Sequence, residues 1–379
     1  MSGFKVALFT GNYNHIRDGV SLTLNRLVAF LLKKNIEVLI FGPTIEEPAV
    51  EHSGTLIDVP SKRLPGRPEY RFSTSFPSDQ QQKLKEFDPD IIHIATPDFL
   101  GYKALKWAKR NGKPIVSSYH THFSSYLKYY KLSLLEPLMW KYLGWFYKQC
   151  KLVFVPSQSM VEILQDKKIE TEFRIWARGI ESDVFTPQKR SAEWRKSHGF
   201  EADDVVITFI SRLVWEKNLK LFADVVNRVS RKRSNAKALI VGDGPAMEEM
   251  KQLMPNAVFT GFLGGDDLAT AYASSDIFFF PSDTETFGNV TLEAMACGLP
   301  CVVADATGSK SLVEHEENGF VVPVERTDKF YKFIDTLTAD NELRKTMGAS
   351  GLEKSKNYSW DAINNNLIGY YLEVLTEKL

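Results

Sequence analysis

Short β-rich apolar runs alternate with amphipathic helical stretches along the chain, and the alternation occurs twice. The first series holds "KVALFT", "EVLIFG", "DIIHIA", "PIVSSYH" and "LVFVPS", with "SLTLNRLVAFLLKKN" and "GYKALKWAKRNG" among the helices between them. The second restarts near Val205 with "VVITFIS", "AKALIVGDGP", "AVFTGF", "DIFFFP" and "PCVVAD". Continuous apolar strands separated by helices predict parallel sheets covered on both faces. An α/β fold follows: two doubly wound domains facing each other across a cleft. Ligands in such sheets bind outside the carboxyl ends of the strands. The joint falls in the loop-like stretch around 177–194, which carries Pro187.

The chain has 379 residues, enough for two domains with separate cores. No run is apolar and long enough to span a bilayer. The N-terminus runs straight into a strand, without the layout of a signal peptide. Cys150, Cys297 and Cys301 form no CxxC pair, and their odd number speaks against a disulfide framework. These features predict a cytoplasmic protein with reduced thiols and no structural zinc.

The stretch "SDTETFGNVTLEAMACGLP", 282–300, follows the strand "IFFFP". Gly288 and Asn289 stand where a helix begins. Backbone N–H groups and the positive helix end there suit a phosphate. Glu285 and Glu293 do not, so they serve hydroxyl groups, the natural donors to a carboxylate. Glu293 lies in "VTLEAMAC", apolar around nearly its whole circumference, and so needs a partner. A nucleotide-sugar, with phosphates in the middle and hydroxyls at both ends, meets all of these groups. Read alone, Glu285 also suits a solvated loop acid and Glu293 a partner for a buried base.

"ISRLVWEKN", 210–218, again follows a strand and precedes a helix. Arg212 and Lys217 are the cations a diphosphate needs. A surface Glu216–Lys217 cluster is the competing reading. Gly242 in "VGDGP" permits close ligand approach, and equally a turn with no ligand. In the first domain Gly11 and Gly19 lie between strand and helix, but GxGxxG is absent and a dinucleotide site is disfavoured. His120 and His122 end a strand in "SSYHTHF"; without a nearby Cys, Asp or Glu they point to a substrate-facing or a structural histidine, not a metal site. "FDPD" reads as a turn before a buried strand, not a metal-binding DxD.

Charge is unevenly spread. Residues 1–185 hold 25 Lys+Arg against 19 Asp+Glu, and residues 186–379 hold 22 against 28. In 99–151, ten Lys/Arg meet one acid, Glu136, and aromatics intersperse the lysines of 126–148. Such a segment suits an anionic membrane surface, or else a core-facing aromatic stripe with solvated lysines. No nucleic-acid motif accompanies it. Pro137 divides it, predicting two helices.

Together these pieces resemble the retaining glycosyltransferases of family 4, which have the GT-B fold. "RLVWEKN" resembles the family's donor-diphosphate motif, and "ETFGNVTLEAMACGLPCVVA" its E-x7-E motif. "GDGP", "ENGFVV" and "YSWD" follow in family order, so the likeness covers essentially the whole chain. "SSYHTHF" and "WARGIESDVF" look closest to the lipid mannosyltransferase and sulfoquinovosyl-lipid synthase branch.

The resemblance implies roles. Arg212 and Lys217 neutralise the leaving diphosphate. Glu285 holds sugar hydroxyls near the backbone of Phe287, Gly288 and Asn289, and Glu293 holds the ribose. His120 lines the sugar site, and Gly19 sits near phosphate and acceptor. Two departures stand out: Asp18 precedes a lone Gly19 where paired glycines are common, and "ATGSKS" follows "CVVAD".

The expected layout is an acceptor-binding Rossmann-like domain over 1–185 and a nucleotide-sugar domain over 186–356. A helix over 357–379 packs back on the first domain. The expected activity is retaining, metal-independent hexosyl transfer from a GDP- or UDP-sugar. Its acceptor is a lipid or glycan hydroxyl at the cytosolic membrane face. A nucleotide-sugar epimerase, a phosphorylase and a non-catalytic scaffold share the architecture and stand as alternatives.

Overall fold

The structure, a computed structural model, describes residues 3–65, 67–119, 133–285, 287–306 and 308–376. The chain divides into two compact units, Met1–Ala177 with Asp361–Leu379, and Arg178–Trp360.

The first unit is built on a seven-stranded parallel sheet. Its strands are β1 (Lys5–Phe9), β2 (Glu37–Gly42), β3 (Thr55–Asp58), β6 (Ile91–Ile94), β7 (Ile115–Ser118), β8 (Leu152–Val155) and β9 (Phe173–Ile175). A separate antiparallel hairpin joins β4 (Ser61–Leu64) to β5 (Arg67–Ser73). The sheet order is β3-β2-β1-β6-β7-β8-β9, so the winding reverses beside β1. β6, β7 and β8 are buried at every position, as parallel strands covered on both faces must be. Phe9 stacks on Phe41 at 4.8 Å between ring centroids, and Phe76 meets both rings edge-on.

The C-terminal helix Trp360–Thr376 contributes Tyr371 to this core. Its phenol lies 2.6 Å from His93 Nδ1, and His93 Nε2 lies 2.6 Å from Ser118 Oγ. His93 is fully buried, and burial drives its pKa down to about 3, which keeps the ring neutral.

The second unit carries a six-stranded parallel sheet: β10 (Val205–Ile210), β11 (Ala236–Val241), β12 (Val258–Gly261), β13 (Ile277–Phe280), β14 (Cys301–Ala304) and β15 (Gly319–Val322). The order is β12-β11-β10-β13-β14-β15, with the reversal between β10 and β13. Helix Leu219–Lys232 buries Leu219, Phe222, Val225, Val226 and Val229, while Lys220, Asp224 and Arg231 face outward. That is the stripe a 3.6-residue period produces. Helix Asn289–Ala296 is buried on most of its surface, including Thr291, Leu292, Ala294 and Met295.

Candidate active site

Lys217, Glu285 and Gly288, picked from the second half of the sequence, lie in the segments that follow β10 and β13 at the carboxyl end of this second sheet. β10 and β13 are neighbours at the reversal, the position where open α/β sheets leave a crevice. The loop after β10 carries Arg212 and Lys217, and the loop after β13 carries Ser282, Thr284 and Glu285. Lys217 Nζ lies 2.5 Å from Glu285 Oε1 and 3.1 Å from Thr284 Oγ1. Both charged side chains are largely covered, at 15% and 19% exposure. Ser282 Oγ lies 3.4 Å from the same carboxylate oxygen. Asn218, in the left-handed conformation (φ 56°), donates from Nδ2 to the Pro281 carbonyl at 2.9 Å and so ties the two loops together.

The helix after β13 starts at Asn289, with Gly288 as its N-cap. Gly288 has φ 96°, a conformation costly for any other residue, and a Cβ there would come within 2.7 Å of Ser309 Oγ and 3.0 Å of Ser309 Cα. No side chain caps this helix. The helix after β1 differs. There Asp18 accepts from the Val20 and Ser21 backbone N–H groups at 3.0 and 2.8 Å, a complete capping box. Of the two helix starts that could receive phosphate, the first is sealed by its own carboxylate and the second is bare. Gly19 opens the sealed helix, and a Cβ on it would meet nothing within 4 Å.

Glu293 sits one turn into the bare helix, and its Oε2 lies 3.0 Å from the Tyr272 hydroxyl. The same hydroxyl is 3.1 Å from the Val290 carbonyl. Among the described residues no buried base accompanies Glu293; its partner is a phenol. Burial raises its pKa to about 7, and the Tyr272 contact opposes that rise in part. Cys297 and Cys301 lie close by, and burial pushes both thiols up, which keeps them protonated.

Other expected site residues stand apart from this group. Arg212 is exposed and pairs with Glu216 at 3.7 Å, so it is Arg212, not Lys217, that forms the surface pair with Glu216. Gly242 has φ 132°, and a Cβ there would lie 1.9 Å from the Ser211 carbonyl oxygen; packing inside the protein suffices to require glycine. Phe287 is buried, its ring centroid 5.9 Å from that of Tyr358. His120 lies outside the described residues. The acids of "FDPD" have structural partners: Asp88 pairs with Lys113 at 2.6 Å, and Asp90 accepts from the Lys5 backbone at 2.8 Å. Among the described residues, no group of three or more His, Cys, Asp or Glu is gathered to hold a metal ion.

Ser282, Thr284, Asn218 and Tyr272 join the site although the sequence reading did not select them. The first three lie inside or beside the quoted motifs, so their positions could have signalled them. Tyr272 sits on a separate helix, Gly265–Ala273, and no local pattern links it to Glu293.

The family model described as Glycosyltransferase Family 4 matches residues 17–230, more than half of the chain. The chain belongs to glycosyltransferase family 4. A second model, Glycosyl transferases group 1, matches 190–354, the portion that holds the Lys217–Glu285 site. This family 4 member is 31% identical to a GDP-mannose-dependent alpha-mannosyltransferase of Corynebacterium glutamicum, over 98% of this chain and 89% of that one. It is 35% identical to sulfoquinovosyl transferase SQD2 of Arabidopsis thaliana, over 75% of this chain and 57% of the relative. An alpha-monoglucosyldiacylglycerol synthase of Streptococcus pneumoniae is 28% identical over 79% of this chain and 70% of its own.

Among solved structures, sucrose-phosphate synthase from Thermosynechococcus elongatus superposes with a TM-score of 0.75 at 20% identity. That match covers 99% of this chain and 100% of the other. HepE of Anabaena in complex with UDP gives 0.74 at 19% identity, over 98% and 100%. The fold of this family 4 enzyme is GT-B: parallel sheets in two Rossmann-like units. The chain is a glycosyltransferase.

Proposed function

We propose that the enzyme moves a hexose of the mannose or glucose type from a nucleoside diphosphate sugar to a hydroxyl acceptor, with retention of anomeric configuration. The acceptor is a lipid or lipid-linked glycan, reached from an anionic membrane surface. The observation that carries this reading is the Lys217–Glu285 pair at the β10/β13 reversal, beside an uncapped, glycine-led helix start. One contact separates a cation suited to the diphosphate from a carboxylate suited to the sugar hydroxyls. The names of the relatives support the donor and acceptor classes: a GDP-mannose-dependent mannosyltransferase and a synthase of glucosyldiacylglycerol.

In this reading Lys217, Arg212 and the N–H groups at Gly288 and Asn289 meet the charge that develops on the leaving diphosphate. Arg212, exposed and held only by Glu216, swings to the phosphates. Glu285 orients the sugar, and Glu293 accepts from the ribose hydroxyls. The bond from anomeric carbon to phosphate oxygen breaks as the acceptor oxygen attacks from the same face. The departing phosphate oxygen takes the acceptor's proton, so no protein nucleophile is required. Gly242 lines the donor pocket, and Gly19 and His120 serve the sugar and acceptor side. The protein's own cations supply the positive charge, and turnover is expected to persist in a chelator.

The decisive experiment incubates the enzyme with GDP-mannose or UDP-glucose, each with diacylglycerol, a glycolipid or a soluble sugar. The product anomer is then read by NMR. Transfer with inversion, epimerised donor without acceptor, or sugar phosphate formed from inorganic phosphate would each reject the reading.

A further inference from the structure

The described parts of the basic, aromatic segment 99–151, residues 99–119 and 133–151, separate into groups with different roles, while 120–132 lie outside the described residues. Trp140, Leu143, Phe146 and Tyr147 belong to the core of the first unit. On the other side of the same helix, Glu136–Tyr147, Leu138 and Trp145 stand in solvent, and Tyr142 is partly exposed with its hydroxyl donating to the Pro97 carbonyl at 2.9 Å. Leu138 is 65% exposed, Trp145 46% and Tyr142 36%, and Leu134 just before the helix is 97% exposed. The helix is therefore apolar toward solvent as well as toward the core. A single exposed leucine means little, but a contiguous Leu/Tyr/Trp face calls for cover.

Next to this face lies a cavity of about 410 Å³, lined by Lys141, Lys148, Lys167 and Lys168, with Trp140 and Trp145 as its aromatic walls. Glu170 is the only acid in its lining. Lys167 is engaged, 4.0 Å from Glu136 and over the Trp140 ring. Lys141, Lys148 and Lys168 have no ion pair among the described residues. Lys168 is also conformationally unusual: it ends helix Gln158–Asp166 with φ 59°, a position where glycine or asparagine costs less. Holding lysine there costs on the order of 1 kcal/mol, and the result is a fourth ammonium at the cavity.

By contrast, the lysines of helix Phe99–Arg110 are spent locally. Lys103 lies over its own helix's Phe99, Lys106 over Tyr102, and Lys109 bonds Gln149.

We propose that the outer face of helix Glu136–Tyr147 docks on an anionic phospholipid bilayer. In that docked state a lipid phosphate sits among Lys141, Lys148 and Lys168. Leucines enter the acyl boundary, Trp145 and Tyr142 take the interfacial level, and the lysines reach the headgroup phosphates. Charge complementarity selects this occupant: an apolar strip edged by unpaired ammonium groups matches an anionic bilayer. The inference rests on the reading of a membrane-borne acceptor given above, but its test is separate.

Flotation is measured with phosphatidylcholine vesicles, with and without phosphatidylglycerol, for wild type, K148E/K168E and L138S/W145A. All four positions are exposed or half-exposed, and GDP- or UDP-dependent thermal shifts serve as the control for folding. Wild type is expected to float only with phosphatidylglycerol vesicles, and the variants to lose at least about tenfold in binding. The variants are expected to keep transfer to acceptor in detergent micelles and lose transfer to acceptor in vesicles.

Variants that float like wild type overturn the docking surface, whatever the acceptor. So does competition by millimolar inorganic phosphate that abolishes flotation, which assigns the cavity to a free anion. A concentration-dependent dimer that the same substitutions abolish, without flotation, assigns the face to a second copy instead. Wild type that floats as expected but glycosylates no lipid upholds the docking and rejects only the acceptor reading.

Discussion

Lys217 and Glu285 lie 68 positions apart in the chain and meet at 2.5 Å where the winding of the second sheet reverses. Each closes a loop from one of two adjacent strands, so the pair reports directly on how those loops are set. Removing Lys217, which meets the developing charge, is expected to lower kcat/KM by about 10²–10³-fold, and removing Glu285, which orients the sugar, by about 10²-fold. Stability should fall by about 1–3 kcal/mol, because each single variant leaves a largely covered charge without its partner. The K217A/E285A double variant should be no slower than the slower single one. Steady-state kinetics with thermal melts checks this, and unchanged turnover in either single variant removes the site.

Glu293 gives a pH-dependent signature. Its pKa rises from 4.5 in the open chain to about 7 in the folded protein. The folded state therefore holds a proton the unfolded chain has released, and the stabilisation is full below pH 4.5 and lost as pH climbs through 7. The difference is on the order of 3 kcal/mol. E293Q, which stays neutral, should melt higher than wild type at pH 8 and show a flatter pH profile. If Glu293 accepts from ribose hydroxyls, the same variant should bind GDP or UDP more weakly. Loss of affinity together with gained stability separates a binding role from a structural one.

Gly288 has its backbone in a region that costs other residues about 1–3 kcal/mol, and Ser309 fills the space a side chain would need. G288A is expected to lower stability by that order and to abolish nucleotide-induced thermal stabilisation. A G288A enzyme that still responds to nucleotide would show that the helix start is not the phosphate site.

Tyr371 and His93 form a second testable pair. Y371F leaves a buried imidazole nitrogen without its partner, at a cost of about 1–3 kcal/mol. Amide exchange should speed up across helix Trp360–Thr376. His93 also sets a pH limit. Burial takes its pKa from 6.5 down to about 3, so the unfolded chain binds a proton the folded one refuses. Stability should fall as pH drops below 6.5, and an H93N variant should lose that slope.

The strands that the sequence makes plain are the buried ones. β10 and β13 read as uninterrupted apolar runs because helices cover both faces of the sheet. β3, β9 and the polar hairpin β4–β5 pass unnoticed, since half-exposed edges carry no such run. Gly288 and the helix after it are legible because strand, glycine and helix follow at fixed spacing. Asp18 is visible in "RDGVSL" as an oddity, but only its bonds to Val20 and Ser21 show that it shuts the helix start. The Tyr272–Glu293 contact is illegible because the two residues reach each other through the packing of separate helices.

The aromatic helix misleads for another reason. Both of its faces are apolar, so periodicity cannot say which one is covered. Trp140, Phe146 and Tyr147 turn out to be core, and Tyr142 and Trp145 surface. Pro137 sits in the first turn of the helix Glu136–Tyr147, a position proline tolerates.

The bond from Tyr371 to His93 also sets an order of assembly. The second unit, Arg178–Trp360, is continuous in the chain, whereas the first is completed by Asp361–Leu379. During synthesis the second unit has all its strands before the first has its last helix. A chain cut short ahead of Asp361 would therefore hold the whole second unit joined to a first unit still open at His93. Helix Trp360–Thr376, which follows the second unit in the chain, is the one that closes the first sheet's core at Tyr371.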